Sequence, residues 1–383
     1  MKKLKKKLKN IKNLTINDID AKSIYIHIPF CEHICSYCDF NKILYNDEIA
    51  FLYVNKLIED LDYIISLNLR FKTIYVGGGT PTSLSDELLD KLFNKIEKII
   101  DYNEDFEFTV EANVENLTLN KLEIFNKYYV NRISIGVQTF NDEILKIYNR
   151  KHLSTDALNK IRETKKYISN INIDLIYGST FEDFEILKND LEIISSLPIN
   201  HISLYSLQIN DGTIFSYQKI KELDGDRIRE QYDYIVSYLK KLGFIHYEIS
   251  NFAKEGYESK HNITYWRDGK YLALGAGASG YLSNFRYKNV KNPLSYINKE
   301  EIFEIEEVSH DDDYEYYLIT NLRLLSGFSI DEINKKFSID FVNDHLEKIN
   351  LLKNKGLIDI QNGRFFCTEN GIFVLDSIIL ELL

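Results

Sequence analysis

Three cysteines in one short segment are the strongest chemical signal in this sequence. Cys31, Cys35 and Cys38 lie within eight residues, and the 383-residue chain has four cysteines in all. Thiolates this close together can converge on one metal centre. Three cysteines on a [4Fe–4S] cluster leave one iron open for a ligand, whereas a structural zinc site needs a fourth ligand, which His33 could supply. The spacing favours the open cluster over zinc and over three unligated core cysteines.

Glycines and polar residues follow later strands in the same half of the chain. The run Gly77-Gly78-Gly79-Thr80 comes after the second predicted strand, where glycine lets backbone groups approach a ligand with no Cβ between them. An ordinary tight turn explains such a run equally well on its own. Polar residues in or after later strands are Glu111, Gln138, Arg150 and Asp174. Side chains of these types bind ligands, or are simply solvated or helix-capping.

A second group of residues, His261-Asn262-Ile263-Thr264-Tyr265-Trp266, contains the only tryptophan of the chain. A histidine side chain can act as a ligand, and the adjacent Tyr-Trp pair offers aromatic surface. The alternative is a structural histidine that closes a loop by hydrogen bonds. Because the motif follows the predicted barrel strands, we expect it to form a site separate from the cysteines.

The elements that must position these residues alternate in type from Ser23 to about Ser206. Six segments have strand length and β-branched or aromatic content: 23–28, 72–77, 106–112, 132–137, 171–178 and 201–207. Helical periodicity covers 47–67, 85–100, 118–127, 154–168 and 183–196, and Ser85 is placed as an N-cap. This alternation predicts an α/β fold, a partial or closed (β/α) barrel of about six parallel strands. Its chemistry then belongs at the C-terminal ends of the strands.

The alternation stops after Gly212. A helix is predicted from Asp226 to Lys241, and an irregular stretch rich in Gly, Tyr and Asn follows, to about Pro293. The last part reads as helices and a hairpin turning at Asn362-Gly363, typical of a winged-helix-like module, with Cys367 as a structural residue. The predicted division is a basic N-terminal tail (1–16), a barrel core domain (17–243), a connecting region with the His261 motif (244–309) and a C-terminal winged-helix-like domain (310–383).

Composition limits the classes of partner. The formal charge is −11, so the release of counterions would contribute little to binding a nucleic-acid backbone, and we expect no nucleic-acid partner. For the same reason we expect the winged-helix-like module to serve in packing or docking. The first ten residues carry six lysines without the apolar core of a signal peptide, and no segment has 18 consecutive apolar residues. We predict a cytoplasmic protein with a solvated basic tail and no transmembrane segment. Weak contact of that tail with an anionic membrane surface is the alternative.

The pattern CxxxCxxC after a first strand resembles the radical S-adenosylmethionine (SAM) superfamily. The residues Tyr25-Ile-His27-Ile-Pro29-Phe30-Cys31 are similar to its coproporphyrinogen-oxidase-like branch, and the resemblance runs from Ser23 into the C-terminal module. It implies a [4Fe–4S] cluster on Cys31, Cys35 and Cys38, with SAM chelating the open iron. In that superfamily one electron cleaves SAM to methionine and a 5′-deoxyadenosyl radical.

The same resemblance implies a set of SAM-binding residues in this chain. Glu111 and Asp174 would accept hydrogen bonds from the ammonium or ribose hydroxyls of SAM, and Arg150 would pair with its carboxylate. The implied set is Tyr25, Tyr37, Gly78, Gly79, Thr80, Glu111, Gln138, Arg150 and Asp174.

Two functions stay open within this branch, beside radical chemistry on some other substrate. The pattern of His261, Asn262, Tyr265 and Trp266 resembles a motif of a haem-chaperone subfamily, where it is associated with haem binding. That resemblance implies haem as cargo, with His261 as the axial ligand of its iron, because imidazole commonly binds haem iron, and with aromatic surface for the macrocycle from Tyr265 and Trp266. It also implies haem-accepting proteins as partners and a protein electron donor. The alternative, oxygen-independent coproporphyrinogen III oxidase, decarboxylates two propionates and resembles CxxxCxxCxC. Phe40 stands where that pattern has its additional cysteine, which favours the chaperone.

Overall fold

The computed structural model describes residues 11–298 and 302–383, so the predicted lysine-rich run over the first ten residues lies outside the described part. The strands, in chain order, are β1 (Ser23–Ile28), β2 (Phe30–Cys31), β3 (Ile43–Leu44), β4 (Thr73–Gly78), β5 (Glu107–Asn113), β6 (Arg132–Gln138), β7 (Asn170–Tyr177), β8 (His201–Ser206), β9 (Ile245–Glu248), β10 (Asn251–Ala253), β11 (Tyr271–Leu274), β12 (Ser279–Leu282), β13 (Phe285–Asn289), β14 (Ile302–Glu307), β15 (Phe328–Ser329), β16 (Ile358–Gln361) and β17 (Arg364–Cys367).

The helices alternate with the parallel strands and then form most of the C-terminal part. They are α1 (Asp47–Ser66), α2 (Asp86–Ile96), α3 (Leu119–Lys127), α4 (Asp142–Ile147), α5 (Ser154–Thr164), α6 (Phe184–Ile194), α7 (Ile214–Tyr217), α8 (Gly225–Lys241), α9 (Lys260–Trp266), α10 (Pro293–Ile297), α11 (His310–Asn321), α12 (Ile330–Phe337), α13 (Phe341–Asp344), α14 (Leu346–Asn354), α15 (Glu369–Phe373) and α16 (Leu375–Leu382). Short 3-10 helices cover Ile11–Asn13, Ile16–Asp18, Pro81–Ser83 and Glu97–Ile99.

The six predicted strands are β1, β4, β5, β6, β7 and β8, and they pair in that order, all parallel. The predicted bounds agree with the structure to within a residue or so. Ser85 caps α2 as expected, because its side chain accepts a hydrogen bond from the backbone N–H of Leu88. The α/β barrel prediction is therefore confirmed for the parallel half of the fold.

Side chains along these strands alternate between two environments. In β6, Ile133, Ile135 and Val137 are fully buried in the hydrophobic core, packed toward the helices, whereas Arg132 and Ser134 line an internal cavity. We call the space inside the curved sheet the lumen. Because successive strand residues point to opposite faces, parallel pairing stacks the polar residues of all six strands in this lumen. The helices cover the apolar outer face, as expected for a parallel sheet.

The barrel is partial, because the sheet stays open. The order of its twelve strands is β14-β13-β12-β11-β1-β4-β5-β6-β7-β8-β10-β9, and no pairing in the described residues joins β14 to β9. Strand β11 runs parallel to β1 and adds a seventh parallel strand, whereas β9, β10 and β12 to β14 pair antiparallel.

The expectation of an irregular stretch after the barrel was wrong. Residues 245–289 supply β9, β10, β11, β12 and β13, which extend the same sheet at both of its edges. These strands have three to five residues each, too short for their side-chain alternation to stand out in the sequence. The predicted connecting region is therefore continuous with the core sheet.

The C-terminal part has the predicted winged-helix-like order. Helices α11 to α14 precede the β16–β17 hairpin, and β15 joins it in a three-stranded sheet. Asn362 and Gly363 connect the hairpin, and both have positive φ, as a two-residue hairpin turn requires. Cys367 is buried beneath the hairpin, consistent with the structural role predicted for it.

The predicted N-terminal tail is shorter than its boundary at residue 16. Leu14 is buried in the main core, and its backbone carbonyl accepts a hydrogen bond from the Tyr63 hydroxyl of α1. Leu14, which falls inside the predicted tail, therefore belongs to the core. Within residues 11–298 and 302–383, none of the helices combines the length and the apolar character that crossing a bilayer demands.

Candidate functional site

The three cysteines lie on one loop above the C-terminal end of β1. The loop starts at β2 and returns at β3, which pair with each other; the Tyr45 N–H donates to the Cys31 carbonyl at 2.8 Å and that of Ile43 to the Pro29 carbonyl at 2.7 Å. All three cysteines are free thiols here. The short strand pair thus closes the loop at its base and holds it at the rim of the lumen.

Elements from the far side of the barrel fix the middle of this loop. The Ser36 N–H donates to the Tyr148 carbonyl at 3.0 Å, and the Asn149 amide donates to the Ile34 carbonyl at 2.8 Å. The Phe215 N–H of α7 donates to the Ser36 carbonyl at 3.0 Å. These contacts join residues more than a hundred positions apart, so the loop conformation is set by the tertiary fold.

Cys35 lies in a basic environment. Arg150 Nη1 is 3.5 Å from its sulfur, and His33 hydrogen-bonds to the same thiol. Burial opposes ionisation of Cys35, but the His33 hydrogen bond and the Arg150 charge outweigh it and lower the pKa of the thiol. A lowered thiol pKa favours the thiolate, which is the metal-binding form.

Glu115 connects the surrounding cations into one network. Its carboxylate lies 3.1 Å from His33 Nε2, 3.3 Å from Arg150 Nη2 and 3.2 Å from His152 Nδ1. Burial disfavours this charge, yet hydrogen bonds from His152 and His33 and the charge of Arg150 hold the pKa of Glu115 well below its ordinary value. Hydrogen bonds to Cys35 and Glu115 raise the pKa of His33 to about 9.

Cys31 packs against the glycine turn after β4. Its sulfur lies 3.5 Å from Thr80 Oγ1, and a Cβ atom on Gly79 would come within 3.0 Å of that sulfur. Gly78 has φ +124°, a conformation that side-chain-bearing residues rarely adopt. Glycine is therefore needed here for close approach and for backbone conformation.

The donor chemistry of the loop fits an iron–sulfur cluster. Three thiols on one side of the cavity can each bind a separate iron of a cubane. Among the described residues, no three His, Cys, Asp or Glu side chains converge closely enough to share a single ion. Burial raises the pKa of Cys31 to about 11 and raises that of Cys38, and metal binding would remove those protons.

A cavity of about 460 Å³ extends from the cysteine loop into the lumen. It is lined by all three cysteines and by every predicted SAM residue except Tyr25, namely Tyr37, Gly78, Gly79, Thr80, Glu111, Gln138, Arg150 and Asp174. Tyr25 lies deeper, where its hydroxyl bonds to His27 Nδ1 at 2.9 Å. The fold therefore gathers residues from five strands and three connecting segments around one space of ligand size.

Two carboxylates on neighbouring parts of the sheet face this cavity. Glu111 accepts hydrogen bonds from the Tyr75 hydroxyl at 2.7 Å and the Gly78 N–H at 2.9 Å. Asp174 accepts from the Ser134 hydroxyl and the Asn172 amide, both at 2.8 Å. Burial raises the pKa of both groups, that of Glu111 to about 7.

Gln138 enters the cavity through an unusual backbone conformation. Its φ is +74°, and the pairing of β6 with β7 shifts register between Gly136 and Gln138. A non-glycine residue in this region costs roughly 1–3 kcal/mol and persists only where the surroundings enforce it. Gln138 thus lines the cavity at the point where the regular pairing of β6 with β7 ends.

Several cavity residues were not predicted from the sequence. They are the lumen-facing members of the strands and their neighbours: Tyr75, Asn113, Arg132, Ser134, Asn172, Ser203 and Tyr205. A strict alternation of polar and apolar residues in β6 and β7 is the signal that could have identified them. In a parallel barrel with covered outer faces, such alternation indicates a polar interior.

The predicted haem residues do not form one surface. His261 is fully buried at the floor of the lumen, with Nδ1 2.8 Å from Thr73 Oγ1 and Nε2 2.7 Å from the Tyr265 hydroxyl. Burial and the charge of Arg132 lower the pKa of His261 to about 3, so its ring is neutral. Both nitrogens are engaged, and the prediction of His261 as an open axial ligand does not fit this conformation.

The other members of this motif point to different places. Asn262 lines the same cavity as the cysteines, whereas Trp266 packs with Tyr247, Ile263 and Leu324 in a separate apolar cluster. The expectation of a site remote from the cysteines was therefore wrong as well. The large distance in sequence between the cysteine loop and this motif does not correspond to a distance in space, because α9 returns to the barrel floor. There Glu107 accepts hydrogen bonds from the first N–H groups of the helix.

Comparison with protein families assigns both parts of the chain. Residues 25–191 match the radical SAM superfamily, and residues 308–374 match the HemN C-terminal domain. The superfamily implies a [4Fe–4S] cluster and SAM binding.

Known proteins resemble this chain over nearly its whole length. The haem chaperone HemW of Lactococcus lactis is 38% identical, covering 94% of this chain and 96% of the relative, and HemW of Bacillus subtilis is 36% identical, covering 91% and 96%. The structure of coproporphyrinogen III oxidase (HemN) from Escherichia coli shares the fold, with a TM-score of 0.81 at 21% identity over 94% of this chain and 89% of that one. The chain belongs to the HemW haem chaperone family, within the radical SAM superfamily.

Proposed function

We propose that this protein is a haem chaperone that carries a [4Fe–4S] cluster and SAM, binds haem and delivers it to haem-dependent acceptor proteins in the cytoplasm. The observation that carries the proposal is the family relationship, in which proteins named haem chaperones align with more than nine tenths of the chain. A reduced protein partner would supply the electron to the cluster. We infer no nucleic-acid partner, because the chain is acidic.

The cluster would be held by Cys31, Cys35 and Cys38. Loop contacts to Tyr148, Asn149 and Phe215, described above, would keep the thiolates in place before the metal arrives. When bound and reduced, a cluster of this class supplies one electron to SAM.

SAM would lie in the cavity below the cluster. The glycine turn at Gly78 and Gly79 admits a ligand close to the backbone, and Glu111 and Asp174 offer carboxylate acceptors to its ammonium and ribose hydroxyls. Arg150 lines this cavity with its guanidinium 3.5 Å from the Cys35 sulfur, which supports a contact with the SAM carboxylate. Gln138, Thr80 and Tyr37 would complete the walls.

Phe40 favours haem binding over porphyrinogen oxidation. It occupies the place of the additional cysteine in the oxidase-like pattern, lines the cavity mouth and is 63% exposed. A phenyl ring cannot bind metal or form a thiyl group, so the fourth cysteine of that pattern has no substitute here. An exposed aromatic ring at an open mouth instead offers apolar contact to a flat ligand.

Replacing Cys35 tests the cluster assignment. Cys35→Ala removes one of three ligands, so we expect it to lose most bound iron and the charge-transfer absorbance of the cluster. Cys367→Ala is the matched control, because Cys367 is a buried thiol far along the chain. The iron content of both variants is measured after anaerobic reconstitution. A full iron content in Cys35→Ala together with loss of iron in Cys367→Ala contradicts the assignment.

Replacing Arg150 tests the SAM site. A charge-assisted hydrogen bond contributes roughly 1.5–3 kcal/mol, so Arg150→Ala should weaken SAM binding by about one to two orders of magnitude. Arg150→Lys keeps the positive charge but loses the paired N–H donors of the guanidinium, so it should recover only part of the SAM affinity. Calorimetric titration of the cluster-loaded proteins measures the effect, with the exposed Arg162→Ala as control. SAM affinity equal to wild type in Arg150→Ala excludes this residue from the site.

Haem titration combined with thermal unfolding tests the function and the role of His261. We expect wild type to bind haem in a one-to-one ratio and to pass it to a haem-free haemoprotein. His261→Ala removes the hydrogen-bond partner of the Tyr265 hydroxyl and one of the two partners of Thr73 in the interior, so it should lower stability by about 1–3 kcal/mol while the Soret band stays in place. A shifted Soret band with unchanged stability makes His261 a haem ligand after all, and absence of haem binding by wild type refutes the proposed function.

A further inference from the structure

Arg132 is a buried cation with no hydrogen-bond or ion-pair partner in the part of the chain that the structure describes. It opens β6, is 2% exposed, and faces the cavity from the lumen. Its Nε is buried without a hydrogen bond, and among the described residues its guanidinium makes no ion pair within 4 Å. An unpaired charge in a protein interior is costly, so a group that remains there interacts with something else in the cavity.

The carboxylates of Glu111 and Asp174 line the same cavity from β5 and β7, the strands on either side of the strand that carries Arg132. The charge of Arg132 lowers the pKa of both carboxyl groups, although neither group contacts the guanidinium directly. Their hydrogen-bond donors, described above, are all neutral hydroxyls, amides and a backbone N–H. Arg150, the other arginine lining this cavity, already contacts Cys35, Glu115, Asn113 and the Gly136 carbonyl.

The lumen histidines do not replace Arg132 as a positive charge. Burial, and then the charge of Arg132, lower the pKa of His201 and of His261, so both rings are neutral at physiological pH. The remaining titratable groups that interact with Glu111 from the packed elements are tyrosines, which carry no charge at that pH: Tyr25, Tyr75, Tyr205 and Tyr265.

The two carboxylates need a positive charge to stay ionised. Burial raises the pKa of Glu111, and the hydrogen bonds from Tyr75 and Gly78 oppose that rise. The charge of Asp174 raises the same pKa further, whereas the charge of Arg132 lowers it. The resulting pKa of about 7 lies close to neutral pH, so any further rise would leave most of this carboxyl group protonated. A protonated carboxyl group loses acceptor capacity, which a SAM ammonium or ribose hydroxyl requires.

We propose that Arg132 is a positioning residue of the SAM site, an unpaired cation in the lumen that holds Glu111 and Asp174 as carboxylates ready to accept hydrogen bonds from SAM. The proposal rests on the SAM binding proposed above. It assigns Arg132 no direct contact with the cluster or with SAM. The guanidinium acts through the field of the lumen, where low dielectric strengthens charge interactions.

The test is the pH dependence of SAM binding to cluster-loaded Arg132→Gln and wild type. Without the cation the pKa values of both carboxyl groups rise further, so the variant binds more weakly at low pH and recovers at high pH. For a rise of one pKa unit, the ratio of the two dissociation constants is about tenfold at pH 6 and falls to within about twofold at pH 9. Any pH dependence of the affinity that comes from SAM or from the cluster is the same in both proteins, so it does not change this ratio.

Two further variants separate charge from packing. Arg132→Lys keeps the positive charge and should bind SAM like wild type across the pH range. Arg286→Gln removes a largely buried arginine outside the lumen, paired with Asp268, and should leave SAM binding unchanged. Cluster content and thermal unfolding of each variant confirm that the folded proteins are being compared.

Each outcome decides the proposal. A constant loss of affinity at every pH, or loss in Arg132→Lys, shows that Arg132 acts by packing or by direct hydrogen bonding and overturns it. A ratio near one at every pH overturns it too, while SAM binding itself stands. If Arg132→Gln does not fold, the Arg132→Lys variant decides alone, because it keeps wild-type SAM affinity only if the positive charge is what matters. Absence of SAM binding by wild type overturns the proposed function, and the role of Arg132 with it.

Discussion

The site depends on the register of the parallel sheet. In β1, β4, β5, β6, β7 and β8 the strands pair in parallel without reversals, so every second side chain enters the lumen and all carboxyl ends share one rim. Asn113 pairs in register with Gly136, and Gly136 with Asp174, which puts residues 60 positions apart in one row. The cysteine loop lies on that rim because it directly follows β1. A one-residue slip in any strand would turn its lumen residues into the apolar outer layer.

Buried charge is organised differently at the rim and at the floor of this lumen. At the rim, Glu115 contacts His33, Arg150 and His152, so each charge beside Cys35 has an opposite charge within hydrogen-bonding reach. Deeper in the lumen, Glu111, Asp174 and Arg132 carry no mutual contacts. The rim is thus preorganised around the thiolates, whereas the deeper groups have unused hydrogen-bonding capacity directed at the cavity. That difference fits a fixed metal centre above a ligand that comes and goes.

The sequence predicted the parallel strands closely because each is six to eight residues long and separated from the next by a strongly periodic helix. Cys31, Cys35 and Cys38 were evident from local spacing, and Glu111 and Asp174 from their places in strands. The alternation of β6 could have placed Arg132 in the lumen, but its lack of a partner and the contacts of Glu115 follow only from the tertiary structure. The contacts of His261 were hidden from the sequence for the same reason: its ring nitrogens hydrogen-bond to Thr73 and Tyr265 because α9 passes beneath the barrel, and its role as a haem ligand stays a prediction.

The central claim is that the cluster and SAM in this fold serve haem delivery and do not serve porphyrinogen oxidation. Phe40 at the cavity mouth and the family relationship both lead to that claim. Its most direct test is a coproporphyrinogen III decarboxylation assay on anaerobically purified, cluster-loaded protein with SAM and a strong reductant, run on a sample already shown to bind haem. The account predicts no SAM-dependent decarboxylated product. Clear SAM-dependent decarboxylation of coproporphyrinogen III by that sample would contradict it.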